Sequence, residues 1–443
     1  MDHLDCAKRM LSFIDDSPTC FQAVANLSRD LRESGFEPLD EAQEWDLVPG
    51  RCYYVTRNQS ALAAFRMPEA AEGGQGKEGL VQGFQMAAAH ADSPLLKIKS
   101  NPEMLFGDWY VRLNVERYGG MLCQPWFDRP LGVAGRVVVR TARGVESRLV
   151  DLGRPVALIP SLAIHMDRAA NEGHKLSVQK EMLPLVGTAS SAGRLQQQVA
   201  DAAQAAPKDV LGADLFLYNC QPGCIWGVDQ EFVSSRQLDD LQCAWTLMEG
   251  LKAAAPAPGR VALCAVFDNE EVGSSTKQGA ASPFLLDVLG RIVGSSQALP
   301  RLLANSFLVS ADNAHGVHPN YADKADPTNR AILNQGVVVK ESANQRYTTD
   351  GVSRAVFSLI CQQAGVPLQT FANHADIPGG STLGHLASSH VAVSAVDVGL
   401  PQLAMHSPYE TAGVKDAAYL VQAMKTFYRS ALVRTADGSF EVH

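Results

Sequence analysis

The chain has 443 residues, of which 46% are hydrophobic and 19% are charged, and its formal net charge is -9. This length is enough for one large domain or two ordinary ones with sizeable cores, and the composition is that of a soluble globular protein. The acidic balance disfavours nucleic acid as a partner, because phosphate binding requires a basic face. No apolar run reaches the roughly 18 residues that would indicate a membrane span, so we expect no membrane partner.

The N-terminal residues and the cysteines predict a cytoplasmic protein. Residues 1–5 lack the basic and apolar regions of a signal peptide. The nine cysteines show no framework spacing, which favours reduced thiols in the cytosol. Cys220 and Cys224 could form half of a zinc knuckle, but no second pair follows them, so ordinary semi-buried thiols are the better interpretation.

The chain begins with two predicted helices. Apolar residues recur three and four positions apart over residues 7–13 and 21–31, and a Ser-Pro break at residues 17–18 separates the two runs. Other stretches with helical character follow later, at residues 239–254, 284–292 and 352–364.

Several apolar runs are short and end in polar residues. Residues 261–267 do not alternate between apolar and polar side chains, which is typical of a strand buried on both faces of a parallel sheet. Comparable runs lie at residues 81–89, 307–310 and 391–398. In open α/β sheets, sites form outside the carboxyl ends of the strands, and the polar residues after these runs lie where that rule places a site.

The middle of the chain differs from both ends. Residues 133–139 and 209–218 predict strands among turn signals, whereas residues 188–208 are rich in Ala, Gln and Ser and predict a solvated loop or a weak helix. We therefore expect an α/β catalytic domain with a mostly parallel sheet flanked by helices, and a β-rich domain inserted into it. The expected boundaries are 1–93 and 232–443 for the catalytic domain and 94–231 for the insert.

The polar residues beside these runs form a set of imidazoles and carboxylates without cysteine. Such ligands suit zinc, cobalt or manganese in a catalytic site. Two metal ions need a bridging carboxylate and roughly two further ligands each, while one carboxylate must stay free to accept a proton. The set comprises His90, Asp92, Asp239, Glu270, Glu271, Asp312 and His406.

Each member of this set also has an ordinary structural explanation. Glu270 and Glu271 could form a solvated acidic turn, although adjacent residues at a strand end point in different directions, so that one can bind metal while the other faces water. Asp92 could orient the imidazole of His90, or the two could share a merely structural hydrogen bond. Asp312 and His406 could be capping or core residues. The residues alone therefore indicate a hydrolase with a metal site, but they do not identify which hydrolase it is.

Taken together, these clusters resemble the aspartyl aminopeptidase family of two-zinc metallopeptidases. The matching segments follow the family's order over nearly the whole chain: His90–Pro94, Leu238–Leu241, Phe267–Ser274, Asp312–His315, His318–Tyr321, Asn344–Tyr347, Gly380–Thr382 and Pro401–Ser407. Within the predicted insert, Trp126–Arg129 and Ile159–His165 also match. Any single segment could arise by chance, but the ordered set makes the resemblance specific.

The resemblance implies two Zn²⁺ per subunit, for which Co²⁺ or Mn²⁺ could substitute. The implied ligand sets are His90, Asp239 and Asp312 for one ion, and Asp239, Glu271 and His406 for the other. Asp239 would bridge the ions, Glu270 would act as the general base, and Asp92 would support catalysis beside His90. The implied reaction removes the N-terminal residue from peptide substrates, with a preference for Asp or Glu.

The resemblance also assigns residues to substrate and assembly. His315, Lys340 and Tyr347 match positions that contact substrate, and the Lys340 ammonium would favour an acidic first side chain. His165 matches a histidine that reaches a neighbouring subunit's site, so the insert would build a homo-oligomer of dimers assembling into a tetrahedral dodecamer. Each of these residues could instead have only a structural role. Lys340 could be a surface lysine and Tyr347 a packing residue, while His315 could be a hydrogen-bonded structural histidine and His165 a buried one.

The chain departs from the family pattern in three places. The usual Arg-Leu-Asp-Asn-Leu segment occurs as Gln237–Leu241, so a shift of register would make Asp240 the ligand instead of Asp239. Pro130 replaces the usual Asp, and residues 407–410 differ in a way that could change the pocket. Two other functions stay open: a broader two-metal aminopeptidase or amide deacylase, and a non-enzymatic assembly or cargo protein of the same fold.

Overall fold

The computed structural model describes residues 2–70, 80–380 and 382–443. Within these residues the helices are α1 (His3–Asp15), α2 (Cys20–Glu33), α3 (Val178–Glu181), α4 (Arg194–Ala202), α5 (Leu238–Lys252), α6 (Phe284–Val293), α7 (Leu299–Ala304), α8 (Gly351–Ala364), α9 (Leu383–Ala387) and α10 (Asp416–Arg429). Among these described residues, no helix combines the length and apolar character needed to cross a bilayer.

The strands of the same described residues form two large sheets, one smaller sheet and a terminal hairpin. In chain order they are β1 (Glu37–Leu39), β2 (Cys52–Arg57), β3 (Ala61–Arg66), β4 (Gly83–His90), β5 (Leu95–Phe106), β6 (Tyr110–Tyr118), β7 (Leu131–Thr141), β8 (Gly144–Asp151), β9 (Leu185–Thr188), β10 (Val210–Asn219), β11 (Cys224–Trp226), β12 (Phe232–Ser235), β13 (Arg260–Phe267), β14 (Phe307–Ala311), β15 (Ala314–His315), β16 (Val337–Glu341), β17 (Leu368–Ala372), β18 (Ser394–Gly399), β19 (Pro401–Leu403), β20 (Glu410–Gly413), β21 (Leu432–Ala436) and β22 (Ser439–Val442).

The largest sheet has nine strands in the order β1-β2-β3-β13-β4-β14-β18-β16-β17. Its centre is parallel, because β13, β14 and β18 all run in the direction of β4. The strands β4, β13 and β14 are buried along their whole length, which agrees with their non-alternating apolar sequences. The predicted α/β class with a mostly parallel sheet is therefore confirmed.

Side chains alternate between two hydrophobic cores on the two faces of this sheet. Ala87 and Ala89 of β4 pack into the core that contains α1, α2, α5 and α10. Met86 and Ala88, one position along, pack into the core that contains α6, α7 and α9. This period-two alternation fixes the register of β4, since a slip of one residue would exchange its two faces.

A second sheet is antiparallel and has six strands in the order β8-β7-β10-β5-β6-β9. Its strands lie between residues 95 and 219, within the segment predicted to be β-rich. Residues 188–208, expected to be a loop or weak helix, contain α4. The short β11 lies inside the predicted 94–231 segment but pairs with β12, which lies outside it, and β12 in turn pairs with β20.

The parallel strands bring the polar residues to one edge of the large sheet. Phe267, the last residue of β13, is paired with His90, the last residue of β4. Strand β14 ends at Ala311, directly before Asp312. The regular part of α5 begins after Asp239 and Asp240, whose backbone angles are not helical. Asp239 therefore lies in a non-helical first turn of α5.

Replacing Phe267 tests whether packing in the hydrophobic core stabilises the edge of the large sheet that carries the polar residues. Phe267 is fully buried and its ring lies 6.4 Å from that of Phe284 on α6, in a T-shaped arrangement. We expect Phe267→Ala to lower the free energy of unfolding by about 3–5 kcal/mol, because it leaves a cavity. Phe267→Leu is the matched control, with an expected loss of about 1 kcal/mol. Urea denaturation at fixed protein and zinc concentration measures both, and equal losses would contradict this packing role.

Candidate metal centre

The predicted ligands come from five separate parts of the chain and meet at one edge of the large sheet. His90 ends β4, Asp239 lies in the non-helical first turn of α5, and Asp312 follows β14. Glu270 and Glu271 lie in a single 3₁₀ turn after β13 and not in the strand itself. His406 lies in the turn between β19 and β20.

Two overlapping groups of side chains could each hold a metal ion. One contains His90, Asp239 and Asp312, and the other contains Asp239, Glu271 and His406. Within each group, one ligand atom from each residue lies within 4.8 Å of the others. Asp239 belongs to both groups, which is the arrangement that a bridging carboxylate requires. Asp240, the alternative bridge, is in neither group.

The distances between these atoms suit zinc. The His90 Nε2–Asp239 Oδ1 and His406 Nε2–Asp239 Oδ2 distances are both 3.5 Å, and His406 Nε2 lies 3.4 Å from Glu271 Oε2. These separations exceed the usual length of a hydrogen bond. Ligands that surround zinc tetrahedrally at about 2.0–2.1 Å are separated from one another by about 3.3–3.4 Å, which is close to the observed spacing.

Two buried oxygen atoms of the cluster have no hydrogen-bond partner within the described residues. They are Asp239 Oδ1 and Glu271 Oε1. Buried polar atoms are almost always paired, because desolvation without a new interaction costs free energy. A divalent cation between the carboxylates would supply the interaction, so these residues fit a metal in their chemistry as well as their spacing.

Burial makes three carboxylates of the cluster difficult to ionise. It raises the pKa of Glu271 and of Asp312, and it raises the pKa of Glu270 to about 7. Burial also acts to raise the pKa of Asp239, but interactions with His406 and His90 outweigh it and lower that pKa. A bound cation would stabilise all of these charges together.

The backbone fixes the orientation of both imidazoles. His90 Nδ1 lies 3.0 Å from the Asp92 carbonyl oxygen, and His406 Nδ1 lies 2.6 Å from the Gly120 carbonyl oxygen. Each carbonyl oxygen accepts a hydrogen bond, so the ring proton lies on Nδ1 and Nε2 is left free to bind a metal. Gly120 follows β6, so the antiparallel sheet contributes directly to the site.

The carboxylate of Asp92 mainly orients the glutamate turn. Its Oδ1 and Oδ2 accept the backbone N–H groups of Glu270 and Glu271, each at 3.1 Å. Oδ2 also accepts the Tyr118 hydroxyl at 2.7 Å, while Oδ1 lies 3.4 Å from His90 Nδ1. The sequence suggested only the link to His90, and nothing in it connected Asp92 with Tyr118 or with the glutamates.

Glu410 is a further functional residue that sequence reasoning missed. Its side chain is 1% exposed, and its two carboxylate oxygens accept the backbone N–H groups of Asp239 at 3.0 Å and His406 at 2.7 Å. His406 and the nearby Ala404 both have positive φ, at 67° and 57°. Non-glycine residues adopt this conformation at a cost of about 1 kcal/mol or more, so Glu410 helps to hold a strained turn.

A cavity of about 280 Å³ adjoins the metal cluster. Lys340 lines it and is 2% exposed, so the surface-lysine alternative is wrong. The Lys340 ammonium donates to the carbonyl oxygens of Asp312 at 2.8 Å and Asn313 at 3.2 Å, and it lies 5.2 Å from the centre of the Tyr347 ring. His315 lines the same cavity, and burial together with Lys340 lowers its pKa.

Asp397 links the loops around this cavity and was also missed. It is fully buried, and Oδ1 accepts hydrogen bonds from Ser310 at 2.7 Å and Thr382 at 2.6 Å. Its Oδ2 accepts the backbone N–H and the hydroxyl of Thr348, the residue after Tyr347. A buried aspartate in a long apolar strand is the sequence signal that could have identified it.

Among the predicted site residues, Asp92, Glu271 and His165 do not line this cavity. Glu271 belongs to a ligand group and Asp92 contacts the glutamate turn, whereas His165 does neither. It is exposed, in the segment between β8 and α3, which excludes the alternative of a buried histidine. Ser381, in the matching Gly380–Thr382 segment, lies outside the described residues. Cys220 and Cys224 are free, with Cys224 accepting a hydrogen bond from Tyr409 at 3.4 Å.

The α/β sheet, the two overlapping ligand groups and the adjoining cavity define a metal-dependent hydrolase. Residues 13–428 match the family described as aminopeptidase I zinc metalloprotease (M18). The chain belongs to this M18 aminopeptidase family, which confirms the predicted zinc-dependent aminopeptidase and the resemblance on which the prediction depended.

Relatives and solved structures agree with this assignment. The chain is 42% identical over 439 residues to "Probable M18 family aminopeptidase 2" of Clostridium acetobutylicum, covering 96% of this chain and 99% of the relative. A protein of the same name from Pseudomonas aeruginosa is 41% identical over 428 residues, covering 95% of this chain and 97% of its own length.

Two solved structures show the same fold over nearly the whole chain. A chain in the cryo-EM structure of the Ape4 and Nbr1 complex has a TM-score of 0.91 at 33% identity, covering 96% of this chain and 86% of that one. The S. cerevisiae mApe1 dodecamer has a TM-score of 0.84 at 26% identity and covers 97% of both chains.

Replacing Glu410 tests its part in the metal centre. We expect Glu410→Gln to weaken zinc binding by about 10–100-fold, because an amide nitrogen cannot accept one of the two backbone N–H groups. Competition with a chromophoric chelator measures zinc affinity without requiring turnover. Glu441→Gln, at an exposed position in β22, is the matched control. An unchanged zinc affinity in Glu410→Gln would show that the turn forms without this carboxylate.

Proposed function

We propose that this M18 aminopeptidase removes an N-terminal Asp or Glu from peptides by a two-zinc mechanism with Glu270 as the general base. The observation that best supports the mechanism is the membership of Asp239 in both ligand groups. The cavity beside them contains both the spare glutamate Glu270 and the buried cation Lys340.

Each residue of the cluster has a distinct proposed role. His90 and Asp312 would complete one zinc site with Asp239, and Glu271 and His406 would complete the other. Asp92 would act on catalysis through the turn that carries both glutamates, since its carboxylate accepts both backbone N–H groups. Co²⁺ or Mn²⁺ could replace zinc, because the same nitrogen and oxygen donors bind all three ions.

Glu270 is placed to move the proton that hydrolysis requires. Zinc ions held at this site supply Lewis acidity toward the attacking water and the scissile carbonyl. Glu270 accepts the proton that the water loses as the water oxygen bonds to the carbonyl carbon. It then donates this proton to the amine nitrogen as the C–N bond breaks. Burial acts to raise the pKa of Glu270, which favours uptake of a proton by this carboxylate.

Replacing Glu270 tests its role as the base. We expect Glu270→Gln to lower kcat by about 10²–10⁴-fold while zinc content stays unchanged, since the amide keeps the size of the side chain but cannot accept a proton. Steady-state hydrolysis of aspartyl p-nitroanilide and metal analysis of the same preparation provide the two readouts. Full activity in this variant would refute the assignment of the base.

Lys340 supports a preference for an acidic first residue. Its ammonium is buried beside the cavity, where a carboxylate on the substrate would gain a charge-assisted interaction. Two of its three donors bind the carbonyl oxygens of Asp312 and Asn313, and the ammonium also lies 3.7 Å from the Asp312 carboxylate. A substrate carboxylate would therefore share this cation with Asp312. The same two bonds also support the alternative, a broader two-metal aminopeptidase or amide deacylase, in which Lys340 only orients the Asp312 segment.

Substrate profiles distinguish these two functions. We expect Asp and Glu p-nitroanilides to be hydrolysed faster than the Leu and Lys compounds. Lys340→Met should reduce the ratio of kcat/KM for Asp to that for Leu by about 10-fold or more, because a charged hydrogen bond is lost. Faster hydrolysis of Leu than of Asp by the unmodified enzyme would reject the acidic preference.

We also propose that the chain forms a homo-oligomer of dimers that assemble into a tetrahedral dodecamer. The S. cerevisiae mApe1 structure, which has the same fold, is a dodecamer. Leu162, Ile164 and Met166 are 61%, 48% and 76% exposed beside His165, as expected for a segment that packs against a neighbouring subunit. The segment 94–231 would then be the assembly domain, and the nine free cysteines suit the cytoplasm.

A further inference from the structure

A second cavity, of about 240 Å³, adjoins the first on the side away from the metal ligands. The two cavities share His315, Phe371 and Gly380 as lining residues. The rings of His315 and Phe371 lie 6.3 Å apart and form the common wall. The metal ligands line only the first cavity, so the second one lies beyond the pocket proposed for the first residue.

Two loops form the outer wall of this second cavity and are tied together. The loop after β15 carries His318, and the loop after β17 carries His374. A backbone bridge between Ala325 and Asn373 joins them. The Asn373 amide also donates to the Tyr347 hydroxyl at 3.3 Å, which connects these loops to the first cavity. The second cavity is therefore a built feature of the same site.

The chemistry of the lining favours an anion. Among the described residues that line this cavity, none is acidic, while three are histidines and one is Lys324. His318 Nδ1 accepts the backbone N–H of Asn320, and His374 Nδ1 accepts that of Asp376, each at 3.2 Å. In each neutral ring the proton is therefore on Nε2, which leaves one N–H donor available.

Lys324 contributes less than the imidazoles to this lining. Its side chain is 66% exposed and lies 3.7 Å from the carboxylate of Asp323, which is also exposed. The apolar residues Phe371, Ile377 and Pro378 complete the cavity. The lining thus combines an apolar wall with two imidazole N–H donors, which is the usual composition of a small-molecule subsite.

An aminopeptidase removes the first residue of its substrate, so no part of the peptide extends upstream of that residue. A pocket that lies beyond the first residue's cavity, and that is continuous with it, can receive either the end of a long first side chain or the downstream part of the peptide. When the first side chain is short, as in Asp, Glu or Leu, only the downstream part remains to reach it. We propose that the cavity between His318 and His374 binds a carboxylate carried by the second residue of the substrate. This carboxylate is either an acidic side chain or the chain terminus of a dipeptide. The inference rests on the proposed peptidase function, but it does not depend on which first residue is preferred.

Three peptides that differ only in the second residue test this subsite. Asp-Ala-NH₂ carries no carboxylate there, Asp-Ala carries a terminal one, and Asp-Asp-NH₂ carries one on the side chain. We expect kcat/KM to be about 10-fold higher for at least one of the two carboxylate peptides than for Asp-Ala-NH₂, as a charged hydrogen bond implies. The favoured peptide identifies the source of the carboxylate.

Variants then assign the effect to the two histidines. His318→Leu and His374→Leu should each reduce this advantage severalfold, because each removes one Nε2–H donor. His390→Leu, at an exposed histidine outside both cavities, is the matched control and should keep the full advantage. Zinc content and turnover of Asp-Ala-NH₂ report whether each variant is folded.

Two results would overturn the proposal. One is equal kcat/KM for all three peptides in the unmodified enzyme, and the other is an advantage that survives in both His318→Leu and His374→Leu. If the preference for a first Asp fails, the same three peptides with Leu as first residue still test the subsite. Failure of the subsite and failure of the acidic preference are thus distinguishable.

Discussion

The structure depends on one buried carboxylate, Asp239, which lies 3.5 Å from His90 on one side and 3.5 Å from His406 on the other. Its oxygen Oδ1 has no hydrogen-bond partner within the described part of the chain, and two further carboxylates lie nearby. Such a concentration of buried negative charge is unfavourable without positive charge between the carboxylates. The metal centre and the fold are therefore linked, because bound cations would stabilise the same native arrangement that creates their site.

Backbone hydrogen bonds to two other carboxylates hold this arrangement together. Glu410 accepts the N–H groups of Asp239 and His406, and Asp92 accepts those of Glu270 and Glu271. Glu410 thus holds two proposed metal ligands in place, and Asp92 holds the two adjacent glutamates. Neither carboxylate belongs to a ligand group itself. The antiparallel sheet takes part through the Tyr118 hydroxyl and the Gly120 carbonyl. Changes in that sheet would therefore reach the metal centre through two short contacts.

The large sheet and the residues that meet at its edge could be predicted from the sequence, and the reasons are physical. Fully buried parallel strands have unbroken apolar sequences, and the residues after them must lie at one edge. The roles of these residues came from resemblance and not from spacing, since Glu270 and Glu271 could equally have formed a solvated turn. The structure places them in a 3₁₀ turn and not at a strand end, so strand geometry does not explain their different directions, although both lie at the site.

Residues that act through backbone contacts could not be predicted. Glu410 is 171 positions from Asp239 in the chain, and no local pattern reveals that it accepts the N–H group of that residue. Asp92 was linked to the nearby His90, although its side chain mainly contacts the glutamate turn. The helix predicted over residues 239–254 agrees with α5 within two residues at each end, but its pattern does not reveal the non-helical angles of Asp239 and Asp240. Tertiary contacts decide each of these cases.

Anomalous X-ray diffraction at the zinc absorption edge, from crystals of the enzyme grown with zinc, shows whether two cations share Asp239. We expect two peaks per chain, one among His90, Asp239 and Asp312 and the other among Asp239, Glu271 and His406. A single peak, or two peaks that do not share Asp239 as a ligand, would contradict this expectation.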